Sequence, residues 1–321
     1  MDVPGPRTPG QRRAGDPIPL SRLLPDPVHF VMAGGGSHGA VQWGALQALS
    51  QTDVAPSAVI GTSAGALTGA ILAEDLASGV HRLAYVWGQL NMSFLTGDKW
   101  LARGIAQVRS PSLVASATQE ATLRSILHTD RIEDLEVPFG AVATDLATGM
   151  PHVFDTGLLI PALLASSAIP GVLPPVQIGD RSYVDGLASA NLPAIPSLQR
   201  GAGSMVVLDT GARAAGEAGT TPGKVLGRVA AIMAASQRRR QLREAAANVP
   251  VLLLPTPNDL GGSLEFAGTM AAGASGYAMA RSFLADLVLQ QRRRLRPGLY
   301  ARADDHGLSA DLLELLREVR R

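Results

Sequence analysis

The chain has 321 residues, of which 46% are hydrophobic and 17% charged, a composition typical of folded globular proteins. A formal net charge of +1 gives no electrostatic reason to expect nucleic acid as a partner. The sequence contains no cysteine, which excludes disulfides, cysteine-ligated zinc and a cysteine nucleophile. Its six scattered histidines leave little material for a metal site.

Residues 1–27 are rich in proline, glycine and arginine and contain no continuous apolar stretch. This composition predicts a flexible tail rather than a secretory signal. The longest uncharged run, between Asp155 and Asp180, contains four prolines and therefore does not predict a membrane-spanning helix. We expect a soluble protein of the cytoplasm.

The first two apolar runs, "HFVMA" and "SAVIG", predict buried parallel strands. Each is followed by a segment whose apolar residues have helical spacing, His38 to Ser50 and Ala64 to Ala77. The order strand–helix–strand–helix predicts a right-handed βαβ unit with a parallel sheet. Residues 81–127 predict mainly helix.

The later segments continue the alternation of strands and helices. Hairpins are predicted for "FGAVATDLATGMPHVF" and "VQIGDRSYVDG", with a short helix, "PALLASSAIPG", between them. Two further strands, "MVVLDTG" and "VLLLPTP", flank a helix, and "SADLLELLREVRR" predicts a terminal helix after a capping serine. One α/β domain with a central, mostly parallel sheet accounts for this order.

The pentapeptide Gly61-Thr62-Ser63-Ala64-Gly65 fits the G-x-S-x-G pattern, in which a nucleophilic serine occupies a tight turn between strand and helix. Glycines on both sides let neighbouring backbone pass close to the turn. The hydroxyl of Ser63 is then expected at the carboxyl edge of the sheet, where ligands bind in open α/β folds. A simple small-residue turn is the competing interpretation.

Three consecutive glycines, Gly34, Gly35 and Gly36, occupy the corresponding turn one βαβ step earlier. Such a run can direct several N–H groups inward and form a hole for the oxyanion of a tetrahedral intermediate. With Gly39 the same residues also fit the dinucleotide pattern G-x-G-x-x-G, which makes a nucleotide-binding module an alternative. The acidic residue near the offset that this pattern requires, Asp53, precedes the second strand instead of ending it.

A serine nucleophile needs a base, and the residues offer two candidates. His306 is the one histidine late enough in the chain for a Ser–His–Asp arrangement, although its surroundings are polar and no strand precedes it. Asp185 follows a strand-like run and precedes Gly186. Taken alone, that Asp-Gly pair predicts a hairpin turn.

Four blocks of the chain resemble, in order, the motifs of the patatin-like phospholipase family. They are "GGGSHG", "GTSAG", "ASSAIPGVLPPV" and "VDG", and "VATDLATG" is also similar to bacterial members. The resemblance runs from Val28 to Thr210. It implies a three-layer patatin-like α/β fold, with a central, mostly parallel sheet flanked by helices, for a domain spanning residues 28–321. Its core motifs lie within 28–210, and residues 211–321 form a C-terminal part of helices and strands.

The resemblance also implies the chemistry, a Ser–Asp dyad acting on lipid esters. Ser63 would be the nucleophile, Asp185 the general base, and Gly34, Gly35 and Gly36 the donors of the oxyanion hole. The substrates implied are phospholipids, lysophospholipids or acylglycerols, and neither a metal nor an organic cofactor is implied. From the net charge we expect no nucleic acid as a partner, and from the arginine runs we carry peripheral contact with a membrane surface as a hypothesis. A Ser–His–Asp esterase using His306 and a catalytically quiet scaffold are the alternatives.

Two positions depart from the family pattern. His38 stands where the family usually has arginine or lysine, and we hypothesise that its titration raises activity as the pH falls. Leu187 replaces the small residue that usually follows Asp-Gly.

Other side chains are expected to be structural. Asp145 is expected to cap a turn, and the three tryptophans are expected in the core. The arginine runs that begin at Gln237 and Gln290 predict solvated helix faces, or else attraction to an anionic membrane.

Overall fold

The computed structural model describes residues 18–90, 112–211, 222–258, 260–263, 265–302 and 310–319. The strands are β1 (Val28–Met32), β2 (Ala58–Thr62), β3 (Phe139–Asp145), β4 (Pro151–Phe154), β5 (Val176–Ile178), β6 (Arg181–Asp185), β7 (Ser204–Leu208), β8 (Pro250–Leu253) and β9 (Gly298–Tyr300). The α-helices are α1 (Gly39–Leu49), α2 (Ala64–Glu74), α3 (Gly79–Gln89), α4 (Ser112–Ile126), α5 (Leu159–Ser166), α6 (Leu187–Ala190), α7 (Ala194–Leu198), α8 (Pro222–Asn248), α9 (Thr269–Gln290) and α10 (Ala310–Val319).

All of these strands join one sheet in the order β5-β6-β3-β2-β1-β7-β8-β9, and β4 pairs with β3. Neighbouring strands from β3 to β9 along this order are parallel, whereas β4, β5 and β6 are joined by antiparallel pairings. The predicted α/β class with a mostly parallel sheet is confirmed. So are both predicted hairpins, which are β3–β4 and β5–β6.

Helices cover both faces of the sheet, because successive residues of the central strands point to opposite sides. In β1, Phe30 and Met32 belong to the larger core with α1, α2 and α9, whereas Val31 belongs to a second core with α8 and α10. Trp43 and Trp87 lie in the larger core as predicted, and Trp100 lies outside the described residues. The result is three layers.

The segment before β1 is packed where the structure describes it. Leu20, Leu23 and Leu24 are fully buried in the larger core, and Ile18 forms a β-bridge with Thr52. The predicted flexible tail is therefore wrong for residues 18–27, because its leucines bury enough apolar surface to hold the segment in place. Residues 1–17 lie outside the described ranges.

Within the described ranges, none of the helices combines the length and the apolar character needed to cross a bilayer.

Candidate active site

Ser63 lies in a strained turn between β2 and α2. Its φ of 54° and ψ of −120° make it the one non-glycine residue with positive φ among those described. Such a conformation costs on the order of 1–3 kcal/mol and persists when surrounding structure enforces it. The two glycines of the motif leave room for this tight turn, because a Cβ on Gly61 would overlap the carbonyl oxygen of Gly65 and one on Gly65 would lie 2.5 Å from that of Met32.

The side chain of Ser166, at the end of α5, stabilises the turn at Ser63 through two hydrogen bonds. Its Oγ accepts a hydrogen bond of 2.8 Å from the N–H of Ser63 and donates one of 2.7 Å to the carbonyl of Val142. Ser166 is fully buried. Sequence reasoning quoted this serine within "ASSAIPGVLPPV" but gave it no role.

The ends of β2 and β6 meet along one edge of β3, and this meeting brings Ser63 close to Asp185. Thr62, the last residue of β2, pairs with Val142 of β3 in a parallel register. Asp185, the last residue of β6, pairs with the next residue, Ala143, in an antiparallel register. Because β4 occupies the opposite edge of β3 at both positions, the two strand ends approach each other head-on.

Gly186 makes this junction possible through its size. A Cβ at this position would lie 2.6 Å from the carbonyl oxygen of Val142 and 2.7 Å from Cγ2 of Thr62. Its φ of −60° is open to any residue, so backbone freedom is not the reason for the glycine. Gly186 precedes α6 directly, and the interpretation of Asp185-Gly186 as a hairpin turn is therefore wrong.

The Asp185 carboxyl is buried in a weakly polar environment. Burial raises its pKa from 3.8 to about 6, while hydrogen bonds donated by the N–H of Leu187 and the hydroxyl of Ser63 lower it. The Leu187 N–H lies 2.8 Å from Oδ1. A small residue at this position would donate the same N–H, so this hydrogen bond does not depend on the leucine side chain. A buried, largely ionised carboxylate beside a serine hydroxyl can accept the proton of that hydroxyl.

In the glycine loop, which follows β1 at the same edge, the three amides differ in their hydrogen bonds within the described part of the chain. Gly34 donates its N–H to the carbonyl of Asn191 at 2.9 Å, so the expectation that this amide serves the oxyanion hole is wrong. Among the described residues, the N–H groups of Gly35 and Gly36 have no such partner. Gly36 has a φ of 57°, and a Cβ on it would overlap the backbone of Ser263.

His38 follows this loop at the start of α1. Burial lowers the pKa of its ring, and carbonyl oxygens of Gly261, Thr210 and Leu260 only partly offset the effect. Its Nε2 is buried and has no hydrogen-bond partner among the described residues. The ring is therefore neutral at pH 7.

Other candidate residues take structural positions. Asp53 accepts hydrogen bonds from the N–H and the hydroxyl of Ser21 at 2.8 and 2.6 Å, on the amino side of β2 and away from the glycine loop. Asp145 caps the β3–β4 turn as predicted, accepting from the Ala147 N–H at 2.8 Å, and pairs with Arg181. His306 lies outside the described residues. Within the described ranges, no three His, Asp or Glu side chains cluster as metal ligands.

The two arginine runs differ from each other. Arg238 on α8 is buried and forms an ion pair of 2.6 Å with Asp209, so the expectation of a solvated face is wrong at this residue. Residues 292–294 are exposed as predicted, but they follow the end of α9 at Gln290 and therefore do not form a helix face. They precede β9 and so lie at the amino edge of the sheet, opposite Ser63.

Comparisons with known proteins show the family to which the chain belongs. A family model described as patatin-like phospholipase matches residues 30–198, just over half of the chain. The chain belongs to the patatin-like phospholipase family. Patatin-like phospholipase domain-containing protein 7 of mouse is 29% identical over 200 residues, which cover 60% of this chain and 14% of that protein. An uncharacterized NTE family protein of Mycobacterium tuberculosis is 32% identical over 174 residues, covering 53% of this chain and 45% of the relative.

The chain thus spans less than half the length of these patatin-like relatives. Among solved structures, VipD from Legionella pneumophila covers 98% of this chain and 78% of its own, with a TM-score of 0.42 and 14% identity. The ExoU–SpcU complex of Pseudomonas aeruginosa covers 99% and 65%, with a TM-score of 0.38 and 16% identity. The family assignment therefore depends on the family-model match and not on overall superposition.

Proposed function

We propose that this chain is a serine acyl hydrolase that cleaves ester bonds of lipids, with Ser63 as nucleophile and Asp185 as general base. One observation carries the proposal: a buried carboxyl group with a pKa of about 6 accepts a hydrogen bond from a hydroxyl on a strained strand–helix turn. Such a group is mostly ionised at pH 7 and is a stronger base than an exposed aspartate. The family's description supports a lipid ester as substrate.

The reaction proceeds by acyl transfer. The Ser63 oxygen forms a bond to the ester carbonyl carbon while its proton passes to Asp185, and the N–H groups of Gly35 and Gly36 stabilise the oxyanion. When the C–O bond to the alcohol breaks, Asp185 returns the proton to the leaving oxygen. Water then attacks the acyl-serine, gives a proton to Asp185, and the fatty acid leaves as the proton returns to Ser63.

Intact-mass measurement after treatment with a fluorophosphonate tests the dyad. We expect one adduct on the wild type, none on Ser63→Ala, and labelling slowed at least about 100-fold in Asp185→Asn. Ser50→Ala is a matched control, since among the described residues the Ser50 hydroxyl bonds only to the Gln47 carbonyl at the end of α1. An adduct that persists in Ser63→Ala would overturn the assignment, and a folded but unreactive wild type would favour the quiet scaffold. Loss of labelling in His306→Ala would favour the Ser–His–Asp alternative.

Release of fatty acid from phosphatidylcholine, lysophosphatidylcholine and trioleoylglycerol tests the substrate class. Release that depends on Ser63 from any of the three would support the proposal. No release from any of them by an enzyme that a fluorophosphonate labels would contradict lipid esters as substrates.

We further propose that the amino-terminal half of α8 meets the lipid surface. Gln237 and Arg238 lie level with the carboxyl edge of the sheet, where they contact Ala188 and Asp209. The helix then runs to β8 at the amino edge, so its first 15 residues, about 22 Å of helix, extend beyond the carboxyl edge on the side of Ser63.

Four apolar side chains on this extension, at positions that share one helix face, are about half exposed. They are Val225, Val229, Ile232 and Met233, with exposed fractions of 44 to 50%. Water is a poor solvent for such a stripe, whereas the apolar layer of a membrane is a favourable one. If the protein instead bound the membrane through the exposed arginines at 292–294, Ser63 would face away from the lipid.

Sedimentation with phosphatidylcholine vesicles tests this surface. Ile232→Glu should reduce vesicle binding and activity on vesicles at least about tenfold but leave hydrolysis of soluble p-nitrophenyl butyrate unchanged. Leu289→Glu is the control, because Leu289 is 74% exposed near the other end of the sheet. Equal vesicle binding by the wild type and Ile232→Glu would contradict the assignment.

A further inference from the structure

The carbonyl of Gly34 is held by two side chains from distant parts of the chain. Thr210, just after β7, donates its hydroxyl to this oxygen at 2.7 Å, and Asn191 donates from Nδ2 at 3.2 Å. Both residues are almost fully buried. These two hydrogen bonds are not needed to fix the point at which the chain leaves β1, because the hydrogen bond from the Gly34 N–H to the Asn191 carbonyl already fixes it.

A trans peptide points its C=O and the following N–H in opposite directions. The Gly34–Gly35 peptide is trans, so fixing the Gly34 oxygen also fixes the direction of the Gly35 N–H. Because neither residue has a Cβ, sterics offer little resistance to rotation of this peptide. We propose that Thr210 and Asn191 are positioning residues that aim the Gly35 N–H at the oxyanion of the acyl-transfer reaction.

Helix α8 in turn fixes both positioning residues. The N–H of Thr210 bonds to Oδ1 of Asp209 at 2.9 Å, and Asp209 forms the buried ion pair with Arg238. On the Asn191 side, Oε1 of Gln237 accepts from the Asn191 N–H at 3.4 Å. Gln237 and Arg238, which are adjacent on α8, thus support Asn191 and Thr210. Both of these residues donate to the carbonyl oxygen of Gly34.

Thr210 also sets the size allowed at Gly35. A Cβ on Gly35 would overlap the Thr210 side chain, so the two residues are packed in direct contact. A substitution at Thr210 must therefore keep its shape if it is to report on the hydrogen bond alone. Valine meets that condition, and serine keeps the hydroxyl while losing the methyl group.

The test is steady-state hydrolysis of p-nitrophenyl butyrate, and it rests on the proposed Ser63 chemistry. Removing an oxyanion donor typically lowers kcat by about 10²–10³, so a donor that is present but misdirected should lower kcat about 10–100-fold in Thr210→Val, with KM changed less than about twofold. Thr210→Ser should recover most of the loss. Thr52→Val, which removes a similar hydroxyl-to-carbonyl bond to Leu49 at the far end of α1, should retain wild-type kcat.

The outcomes separate this inference from the proposed function. A wild type that neither turns over nor reacts with a fluorophosphonate refutes the acyl hydrolase itself. If the wild type is active, a Thr210→Val variant with kcat within twofold of wild type overturns the inference, and so does a loss that Thr210→Ser does not recover. Asn191→Leu removes the second donor and provides the same test if Thr210→Val does not fold. Because both donors hold one oxygen, the double variant should lose less than the product of the single losses.

Discussion

Burying the charged carboxylate of Asp185 costs free energy in the folded protein. Replacing Asp185 with asparagine measures this cost. Asparagine has almost the same shape, can accept the Leu187 N–H with its oxygen, and can donate to the Ser63 hydroxyl with its nitrogen. It carries no charge to bury. The substitution therefore removes the cost of desolvating the carboxylate and keeps the surrounding contacts.

The pKa gives the size and the sign of this cost. Raising the pKa from 3.8 to about 6 corresponds, at 1.36 kcal/mol per pKa unit, to about 3 kcal/mol. Between those two values the folded protein binds the proton and the unfolded chain does not, so the free energy of unfolding falls as the pH rises. We expect Asp185→Asn to be more stable than wild type by up to about 3 kcal/mol above pH 7, with the gain vanishing below pH 4.

Urea unfolding at several pH values between 3 and 8 measures this difference. Asp145→Asn is the matched control of opposite sign, because the hydrogen bond from Arg181 lowers the pKa of Asp145. That variant should lose stability at neutral pH, and its deficit should shrink as the pH falls below about 4. The reasoning is refuted if Asp185→Asn is less stable than wild type at pH 7, or if its gain is the same at pH 4 and pH 8.

Three further outcomes follow from the site. The kcat/KM for a soluble ester should decrease as the pH falls below about 6, the pKa at which Asp185 becomes protonated. If a His38→Gln variant no longer showed this decrease, the decrease would belong to the histidine instead. Ser63→Gly should be more stable than Ser63→Ala by at least about 1 kcal/mol in thermal unfolding, since only glycine relieves the strain at φ 54°; equal stabilities would contradict the strain. Ser166→Ala should lower the free energy of unfolding by about 1–3 kcal/mol, because it leaves the Ser63 N–H and the Val142 carbonyl unpaired, and a neutral effect would refute that role for its hydroxyl.

The sequence was informative wherever the signal was local. Glycines next to Ser63 and at Gly34–Gly36 predicted loops at strand ends, and the structure has both at the carboxyl edge of the sheet. The use of each amide was not predictable. Gly34 loses its N–H to Asn191, a residue 157 positions away, and no spacing rule connects the two.

Asn191 and Thr210 were missed for the same reason. Thr210 has one weak signal, since it is a polar residue directly after an apolar strand that ends at the same edge as the glycine loop. Asn191 sits in a short segment between α6 and α7, helices too short to leave a periodic pattern. Their shared contact with the Gly34 oxygen appears only in three dimensions.

Helix α9 was not predicted, although alanine, leucine and methionine, which favour helix, make up half of its residues. It contains Gly273 and Gly276, and each glycine in a helix interior costs roughly 1 kcal/mol relative to alanine. In the structure a Cβ on Gly276 would lie 2.6 Å from the Val41 carbonyl oxygen. The glycines allow α9 to approach α1 closely, and this tertiary packing offsets the helix propensity that the two glycines cost.

The supports of the glycine loop have a consequence for the growing chain. The family match ends at residue 198, and by then Ser63, Asp185 and all three loop glycines have been synthesised. Thr210, Gln237 and Arg238 come later. A nascent chain therefore carries both reacting groups and Asn191 for some time before Thr210 and the supporting residues of α8 exist. On the proposal above, the Gly35 amide is held by both donors, and the enzyme reaches its full rate, only once α8 has docked.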